Sequence, residues 1–459
     1  QKYIYSTTTS MSLKQKAYYL EDRWQVTPDW LLTLGVRNDK FTNYNSAAVA
    51  YVESGDQWAP RLGAAWDVFG DSSLKVFANL GRYYLALPNS VAVRGASAST
   101  YTREYFTYSG IDANGNPTGL TALGPGPVSS NNEYGQTPDP RGVAPSDLKS
   151  QYQDELILGF EKTLGASWNS GAKVTYRRLQ TAIDDTCDSD RIYEKLDAMG
   201  VDASTLEVPG CVIFNPGKTN TFLVKNNDGS GYVPVSMSAA DWGLGSNKAK
   251  RDYVAVDLFV EHPMSNNWYG RVDYTWSRNF GNTEGQVKSD IGQDDVSKTQ
   301  DWDSSYLMEY AGGYLANDRR HQLKGYGAYQ FTPEWTASAT LRVMSGAPKS
   351  CLGYYGADQS DPVTYGSAYH YCNGSPSRPG DAGRQPWTTR VDLGVMYRPA
   401  FAEHRLGFGL DVFNVFNQRR QLQSDATYQE GPNTIANLYG IGTYFTAPRS
   451  VRLTASYDF

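Results

Sequence analysis

The sequence has few of the residues on which most enzymes rely. Its 459 residues include only four cysteines and four histidines. The histidines are scattered along the chain, and no HExxH, GxSxG, P-loop or dinucleotide-binding motif is present. Catalysis therefore has no recognisable centre, and we expect a chain that is not an enzyme and carries no cofactor.

Long apolar runs are also missing. No stretch of about 18 apolar residues occurs, which excludes a transmembrane helix, and the mean hydropathy is −0.53. A membrane barrel agrees with both observations, because only alternate residues of its strands are apolar. Residues 1–7 lack the apolar segment of a signal peptide and an initiator methionine. We therefore expect that processing or truncation has removed the true start.

A basic surface is absent too. The net charge is −6 and the isoelectric point about 5.4, which argues against nucleic acid as the partner. What the chain has instead is 34 tyrosines, 11 tryptophans and 44 glycines, with many threonines, serines and asparagines. This composition is typical of strands joined by polar loops.

The carboxyl-terminal stretch shows the pattern that recurs through the chain. Val451, Leu453, Ala455, Tyr457 and Phe459 alternate with polar residues. Because successive side chains of a strand point to opposite faces, this segment has one apolar and one polar face. The alternation predicts a terminal strand.

Twelve further alternating segments precede it, paired across short connections rich in Pro, Gly, Asn, Asp and Ser, which predict turns. Each pair predicts one hairpin. The pairs are Tyr18–Val26 with Leu32–Phe41, Trp58–Phe69 with Leu74–Tyr84, Gln151–Thr163 with Gly171–Ile183, Arg251–Glu261 with Trp268–Phe280, Arg320–Phe331 with Trp335–Met344, and Trp387–Tyr397 with Arg405–Phe416.

Segment length favours a membrane. The segments run about ten to thirteen residues, whereas strands of soluble sheets average five or six and a tilted transmembrane strand needs about 9–11. Tryptophans gather near the segment ends, as interfacial girdles require. Long polar connections alternate with the short turns, an arrangement that outer-membrane barrels share. They cover residues 43–57, 86–150, 184–250, 281–318, 345–386 and 417–447.

We therefore predict an all-β fold, an antiparallel transmembrane β-barrel with short periplasmic turns and long extracellular loops. Residues 1–459 form one barrel portion of about 13 strands. A bacterial barrel has an even strand number, and an unpaired edge in lipid is prohibitive. Counting back from a periplasmic end places the first strand's start outside the cell. Either the count of strands is wrong or earlier strands precede residue 1, and we favour the second.

Several stretches resemble a known family. Tyr19-Leu-Glu-Asp-Arg-Trp24 with Leu32-Thr-Leu-Gly-Val-Arg-Asn-Asp39 is similar to a mid-barrel hairpin of TonB-dependent outer-membrane transporters. Asp411-Val-Phe-Asn-Val-Phe-Asn417 and Pro448–Phe459 resemble that family's last two strands. The long loops are most similar to its Oar-like branch.

The resemblance implies a plugged barrel of about 22 strands that takes up scarce or large ligands with energy from the TonB–ExbB–ExbD complex. The plug, the early strands and the TonB-binding segment are absent from this sequence. Expected partners are outer-membrane lipid and lipopolysaccharide, the TonB system through the missing amino-terminal part, and an unknown extracellular ligand. The alternatives are a passive channel or an adhesive barrel without energy coupling, and a soluble β-propeller lectin or glycosidase.

The four cysteines form two local pairs. Cys187 and Cys211 share one predicted loop, and Cys351 and Cys372 share another. In an oxidising compartment such pairs close disulfides, whereas free thiols or a metal site are the alternatives. With no CxxC spacing and few histidines, we predict disulfides within each loop, although four cysteines allow three connectivities.

Two sets of loop residues are candidates for ligands. Tyr354, Tyr355, Tyr369 and Tyr371 could stack on sugars or peptides. The acidic run that contains Asp290, Asp294 and Asp295 is a weak candidate for a hard cation. Its spacing fits no EF-hand, and a solvated loop explains it better.

Overall fold

The computed structural model describes residues 1–6, 10–87, 100–137, 139–285, 287–291 and 299–459, with the side chains of residues 130–133 left out. Thirteen long strands form its main sheet. In chain order they are β1 (Ser12–Thr27), β2 (Trp30–Tyr44), β3 (Ala50–Asp67), β4 (Leu74–Leu85), β5 (Gln151–Leu164), β6 (Trp168–Thr181), β7 (Arg251–Ser265), β8 (Trp268–Gly281), β9 (His321–Gln330), β10 (Trp335–Met344), β11 (Thr388–Tyr397), β12 (Leu406–Phe413) and β13 (Ser450–Tyr457).

The sheet is one continuous antiparallel meander, in which each strand pairs with the next along the chain. The six predicted hairpins and the terminal strand are all present, and the prediction of about 13 strands is confirmed. Among the described residues, the short strand Gly313–Tyr314 also pairs with the main sheet, against β8.

The first three strands are longer than the sequence predicts. β2 continues to Tyr44 and β3 begins at Ala50, and the two remain paired at Asn43 and Val52. Most of the connection predicted over residues 43–57 is therefore strand. The strand was not predicted here because apolar and polar residues do not alternate. At this end of the hairpin both kinds of side chain are buried, Phe41, Asn43 and Val52 among them.

Two short turns share a sequence and a geometry. Both have the sequence Thr-Pro-acidic-Trp, in Thr27-Pro-Asp-Trp30 and in Thr332-Pro-Glu-Trp335. In each turn the threonine hydroxyl bonds the backbone at the start of the next strand. The Thr27 hydroxyl accepts from the backbone N–H of Asp29 and Trp30 at 3.3 and 3.2 Å, and that of Thr332 accepts from Glu334 and Trp335 at 3.2 Å. Such side-chain bonds replace backbone bonds in tight turns.

The long connections are folded. They contain helix α1 (Ser189–Ala198), the short helices Pro140–Val143 and Ser305–Met308, and 3-10 turns at Ala203–Thr205 and Ser289–Ile291. A further 3-10 turn, Ala400–Ala402, lies in a short connection. The small strands are Lys2–Ser6, Thr100–Thr107, Gly110–Ile111, Pro117–Thr118, Thr121–Tyr134, Asp184–Thr186, Leu206–Glu207, Val212–Phe214, Asn220–Asn226, Tyr232–Met237, Tyr371–Cys372, Ser375–Pro376, Gln421–Ser424, Gln429–Gly431, Thr434–Ile435 and Gly442–Phe445.

The apolar core lies in these connections. Helix α1 packs Ile192 and Leu196, one turn apart, against Phe214, Phe222 and Trp242 of the same connection. Within the described ranges, the structure has no helix long and apolar enough to cross a membrane. Most buried apolar side chains therefore belong to the connections, and the main sheet adds a few, such as Phe41 and Val52, that pack against them.

Candidate functional site

The main sheet has one apolar face. Leu34, Leu62, Leu80 and Leu156 stand opposite one another across β2, β3, β4 and β5. All four are exposed, by 39% to 50%. Trp30 stacks on Trp66 in the same face near the short turns, with ring centroids 5.2 Å apart. A contiguous exposed apolar face marks a surface that contacts a membrane or another protein.

The opposite face is polar and its charges are paired. Cross-strand pairs include Lys75 with Glu161 at 2.6 Å and Arg452 with Asp411 at 2.9 Å. Pairs two residues apart on one strand include Arg390 with Asp392 at 2.7 Å. These pairs lie on a wet, half-exposed surface, so each contributes little stability. Together they form a charged face, called the wall below, on which positive and negative side chains alternate.

One part of this wall is basic. Lys324 stands opposite Arg342, which stands opposite Arg390. In the part of the chain that the structure describes, Lys324 and Arg342 form no ion pair with an acidic side chain. A hollow of about 400 Å³ adjoins Lys324 and is lined also by Lys173, Asp257, Phe259, Arg271 and Asp273. The wall thus offers a concave, charged surface.

The long connections join into one unit at one end of the sheet, which we call the loop cap: the described parts of 184–250, 281–318, 345–386 and 417–447. Trp302 and Met308 are buried in the core around α1. Leu307 is buried with Tyr369 and Tyr371 of the next connection. The backbone N–H of Leu352 donates to Ala426 O at 2.8 Å. Each connection is therefore held by another.

Both predicted disulfides are confirmed. Cys187 is bonded to Cys211 and Cys351 to Cys372, across 24 and 21 residues. Each closes a segment inside a single connection of the loop cap. The backbone N–H of Cys187 also donates to Asp303 Oδ1 at 2.7 Å, which ties the first disulfide to a second connection.

The tyrosines predicted as ligand contacts occupy two environments. Tyr369 and Tyr371 are 0% and 6% exposed. The Tyr371 hydroxyl donates to Glu309 at 3.0 Å and the Tyr355 hydroxyl donates to the same carboxylate at 2.6 Å. Tyr369 and Tyr371 therefore serve the core of the loop cap. Tyr354 and Tyr355 keep some exposed surface, and their contact with a ligand stays a prediction.

Glu309 and Asp361, the carboxylates that accept these hydrogen bonds, were not predicted from the sequence. The Tyr369 hydroxyl donates to Asp361 Oδ1 at 2.6 Å. Glu309 raises the pKa of Tyr355 to about 12 because its carboxylate accepts a hydrogen bond from the protonated hydroxyl, and burial assists. A sequence signal that points to such pairs is the presence of tyrosines and acidic residues in the same predicted loops.

The acidic run does not assemble a metal site among the described residues, where no group of three or more metal-ligating side chains converges. Asp290 is present, and burial raises its pKa while neighbouring Lys288 opposes the shift. Asp294 and Asp295 lie outside the described residues. Their role in cation binding stays untested.

Buried ionisable groups are nevertheless a feature of the loop cap. Burial, with neighbouring Asp185, raises the pKa of Asp184 well above its usual range. Burial and Asp290 raise the pKa of Glu284 to about 7, against hydrogen bonds from Ser289 and the Ala316 N–H. Lys288 Nζ lies 3.0 Å from Asp301 Oδ1, with both side chains buried. Because the folded chain shifts the pKa values of Asp184 and Glu284, the stability of the loop cap should depend on pH.

Comparison with known proteins shows similarity to a family model and to solved structures. Residues 2–117 match the family model described as TonB dependent receptor-like, beta-barrel. The structure is similar to the outer membrane transporter YddB from Escherichia coli, with a TM-score of 0.56 and 14% identity. It is similar also to the siderophore receptor PiuA from Acinetobacter baumannii, with a TM-score of 0.50 and 13% identity. Each alignment covers 97% of this chain, and 45% and 43% of those chains.

The chain is similar also to the TonB-dependent transporter Oar from Myxococcus xanthus. The chain is 28% identical to it over 433 residues, which cover 89% of this chain and 36% of Oar. The resemblance to TonB-dependent transporters, and to the Oar-like branch, is confirmed. These relatives are transporters and receptors, not enzymes. The chain spans about a third of the length of Oar and less than half of either solved transporter.

Proposed function

We propose that this chain is the barrel portion of an outer-membrane transporter for the energised, TonB-dependent uptake of a scarce or large ligand. The observation that carries the proposal is a thirteen-stranded meander with an apolar face and a charged face, in a chain 28% identical to a TonB-dependent transporter. The apolar face would meet lipid, and the charged face would line the lumen.

The orientation follows from the same assignment. In outer-membrane barrels the short turns face the periplasm and the long loops face outwards. The loop cap would then meet the ligand first, and Tyr354 and Tyr355 are the tyrosines with surface to offer it. The basic part of the wall, Lys324, Arg342 and Arg390, would lie deeper, where a plug or a descending ligand passes.

Energy coupling would come from outside this sequence. In the family that this chain resembles, a plug and a TonB-binding segment precede the barrel, and the TonB–ExbB–ExbD complex acts on them. A passive channel or an adhesive barrel without coupling is the second candidate. The β-propeller alternative is disfavoured, because thirteen strands lie in one sheet instead of four-stranded blades.

The deciding experiment uses the full-length protein that contains this chain. We would reconstitute it in planar bilayers and, separately, measure its binding to the periplasmic domain of TonB. A transporter closed by a plug gives no steady conductance and binds TonB. A steady open conductance without TonB binding would establish the passive channel instead, and neither signal would favour the adhesive barrel.

A further inference from the structure

We infer that Arg319 and Lys349 form a carboxylate-binding pocket at the base of the loop cap, and that its ligand carries a carboxylate joined to an apolar group. The inference deepens the proposed function, on which it rests, because it names the chemical class of ligand that the cap would take. The pocket shares no lining residue with the hollow beside Lys324 in the wall.

The pocket lies where three strands of the main sheet meet the loop cap. Its volume is about 240 Å³. In its lining, Arg319 lies two residues before β9, Ala347 three residues after β10, and Gln385 three residues before β11. The connection 417–447 also lines it. Sites that enclose a whole small molecule have volumes of about 300–1,000 Å³, so this pocket would hold one end of a larger ligand.

Hydrogen bonds hold the walls of the pocket together. Gln423 Nε2 donates to Ser289 O at 2.7 Å, and Gln385 Nε2 donates to Ser424 Oγ at 2.7 Å. Each of these bonds joins two different connections of the loop cap. The walls are therefore in place before a ligand arrives, which lowers the entropy that binding must overcome.

Arg319 brings a positive charge that the protein does not pair. Its Nη1 is buried, and in the described part of the chain this atom has no hydrogen-bond partner. The adjacent acid, Asp318, is occupied, because it pairs with Arg384 and, at 3.4 Å, with Arg320. Burial and neighbouring Arg384 lower the pKa of Arg319, against the attraction of Asp318. Since a guanidinium stays charged in proteins, this group lacks an anion.

Further donors line the pocket beside Arg319. Lys349 is half-buried, and among the residues whose side chains the structure describes its ammonium group pairs with no acid. The Ser424 hydroxyl accepts from Gln385, which leaves its own proton free to donate. Arginine binds a carboxylate through two parallel hydrogen bonds. Two positive charges and a hydroxyl at one pocket therefore suit an oxyanion.

The rest of the lining favours a carboxylate on a carbon chain over a free phosphate. Ala347, Pro348 and Leu422 contribute apolar surface to the same pocket. Asp290 also lines it, so a second negative charge on the ligand would be repelled. A phosphate group carries a charge of about −1.5 to −2 at pH 7. A monocarboxylate instead balances one guanidinium and packs its carbon chain on the apolar surface.

The test titrates the full-length protein in detergent with butyrate and follows binding by ligand-observed NMR. We expect saturable binding that Arg319→Gln weakens by about tenfold or more, because hydrogen bonds between charged groups are the strong ones. Lys349→Gln should weaken it less. Arg378→Gln removes an exposed arginine of the same cap and is the matched control, which should bind as the parent protein does. Uncharged butyramide and inorganic phosphate should bind more weakly than butyrate.

A second measurement separates a binding role of Arg319 from a structural one. In the absence of ligand, Arg319→Gln removes an unpaired buried charge and should raise the unfolding temperature of the loop cap. Butyrate should raise the unfolding temperature of the parent protein. Arg319→Lys keeps the charge but loses the planar guanidinium, so it should bind butyrate with intermediate affinity.

Equal butyrate affinity in the parent and Arg319→Gln proteins would overturn the site, and so would a lower unfolding temperature of the ligand-free variant. Butyramide or phosphate that binds as tightly as butyrate would overturn the choice of a carboxylate. The titration needs neither TonB nor a bilayer. A protein that binds butyrate but conducts steadily without binding TonB would refute the proposed function alone, so the two failures are distinguishable.

Discussion

At the scale of single residues, the loop cap depends on acids placed beneath tyrosines. One carboxylate, Glu309, accepts hydrogen bonds from both Tyr355 and Tyr371. An unpaired buried hydroxyl would cost about 1–3 kcal/mol. The pairs therefore let a polar, tyrosine-rich connection fold without a large apolar core of its own.

Glu284 gives a pH-dependent prediction. Its pKa rises from 4.5 to about 7 in the folded protein, so the folded state holds a proton that the unfolded state releases. Stability from this group is complete below about pH 4.5 and is lost as the pH rises through 7. The loss amounts to about 3 kcal/mol. Glu284→Gln should flatten this dependence.

The measurement is thermal unfolding of the loop cap between pH 4.5 and 7.5, followed by tryptophan fluorescence of the full-length protein. Trp242 and Trp302, buried in the cap core, report the transition. Glu430→Gln, on an exposed side chain, is the matched control and should keep the slope of the parent protein. An identical slope in both variants would show that Glu284 is not responsible.

At the scale of elements, the strands were predictable and the cap was not. Alternation specifies a strand wherever one face is apolar, as in Leu406–Phe413, because the period is local. Helix α1 was missed because its apolar residues, Ile192 and Leu196, are too few to signal a helix without the Phe214 and Trp242 that cover them. Tertiary contacts between distant connections leave no local period.

The first disulfide should stabilise the element that it encloses. Cys187–Cys211 closes a segment containing α1, and a loop of this length contributes about 3 kcal/mol by chain entropy. Replacing both cysteines by serine should lower the unfolding temperature of the cap while the main sheet stays intact. Cap unfolding and heat-modifiable migration on detergent gels would be measured together.

The second disulfide, Cys351–Cys372, should contribute less to the stability of the cap than the first. Replacing Cys351 and Cys372 by serine leaves their segment held by the tyrosine–carboxylate pairs of Tyr369 and Tyr371. We therefore expect a smaller shift than for the first pair. Loss of the main sheet in either double variant would contradict the assignment of the disulfides to the cap alone.

At the scale of the whole molecule, the two ends of the sheet should lie on opposite sides of the membrane. The hairpin tip at Asp112–Asn116 is exposed, and so is Phe401 in the turn Ala400–Ala402. An epitope inserted at the hairpin tip of the full-length protein should bind antibody on intact cells. The same epitope at the turn should bind only after the outer membrane is opened, and the reverse pattern would refute the orientation.

The meander and the disulfide pairing could be predicted because both depend on residues near each other in sequence. The candidate site could be predicted less well. Tyr371 and Glu309 are 62 residues apart and are joined by a hydrogen bond in the loop cap, and no spacing rule relates them.

The interlocking of the four connections has an evolutionary consequence. Trp302 belongs to one connection and completes the core of another, so a substitution in either must be tolerated by both. Surface variation under selection from phages or antibodies should therefore concentrate in segments whose side chains belong to no core shared with another connection. The exposed hairpin tip at Asp112–Asn116 is such a place. We expect substitutions in the interlocked connections to arise in correlated pairs, and those at the tip to arise singly.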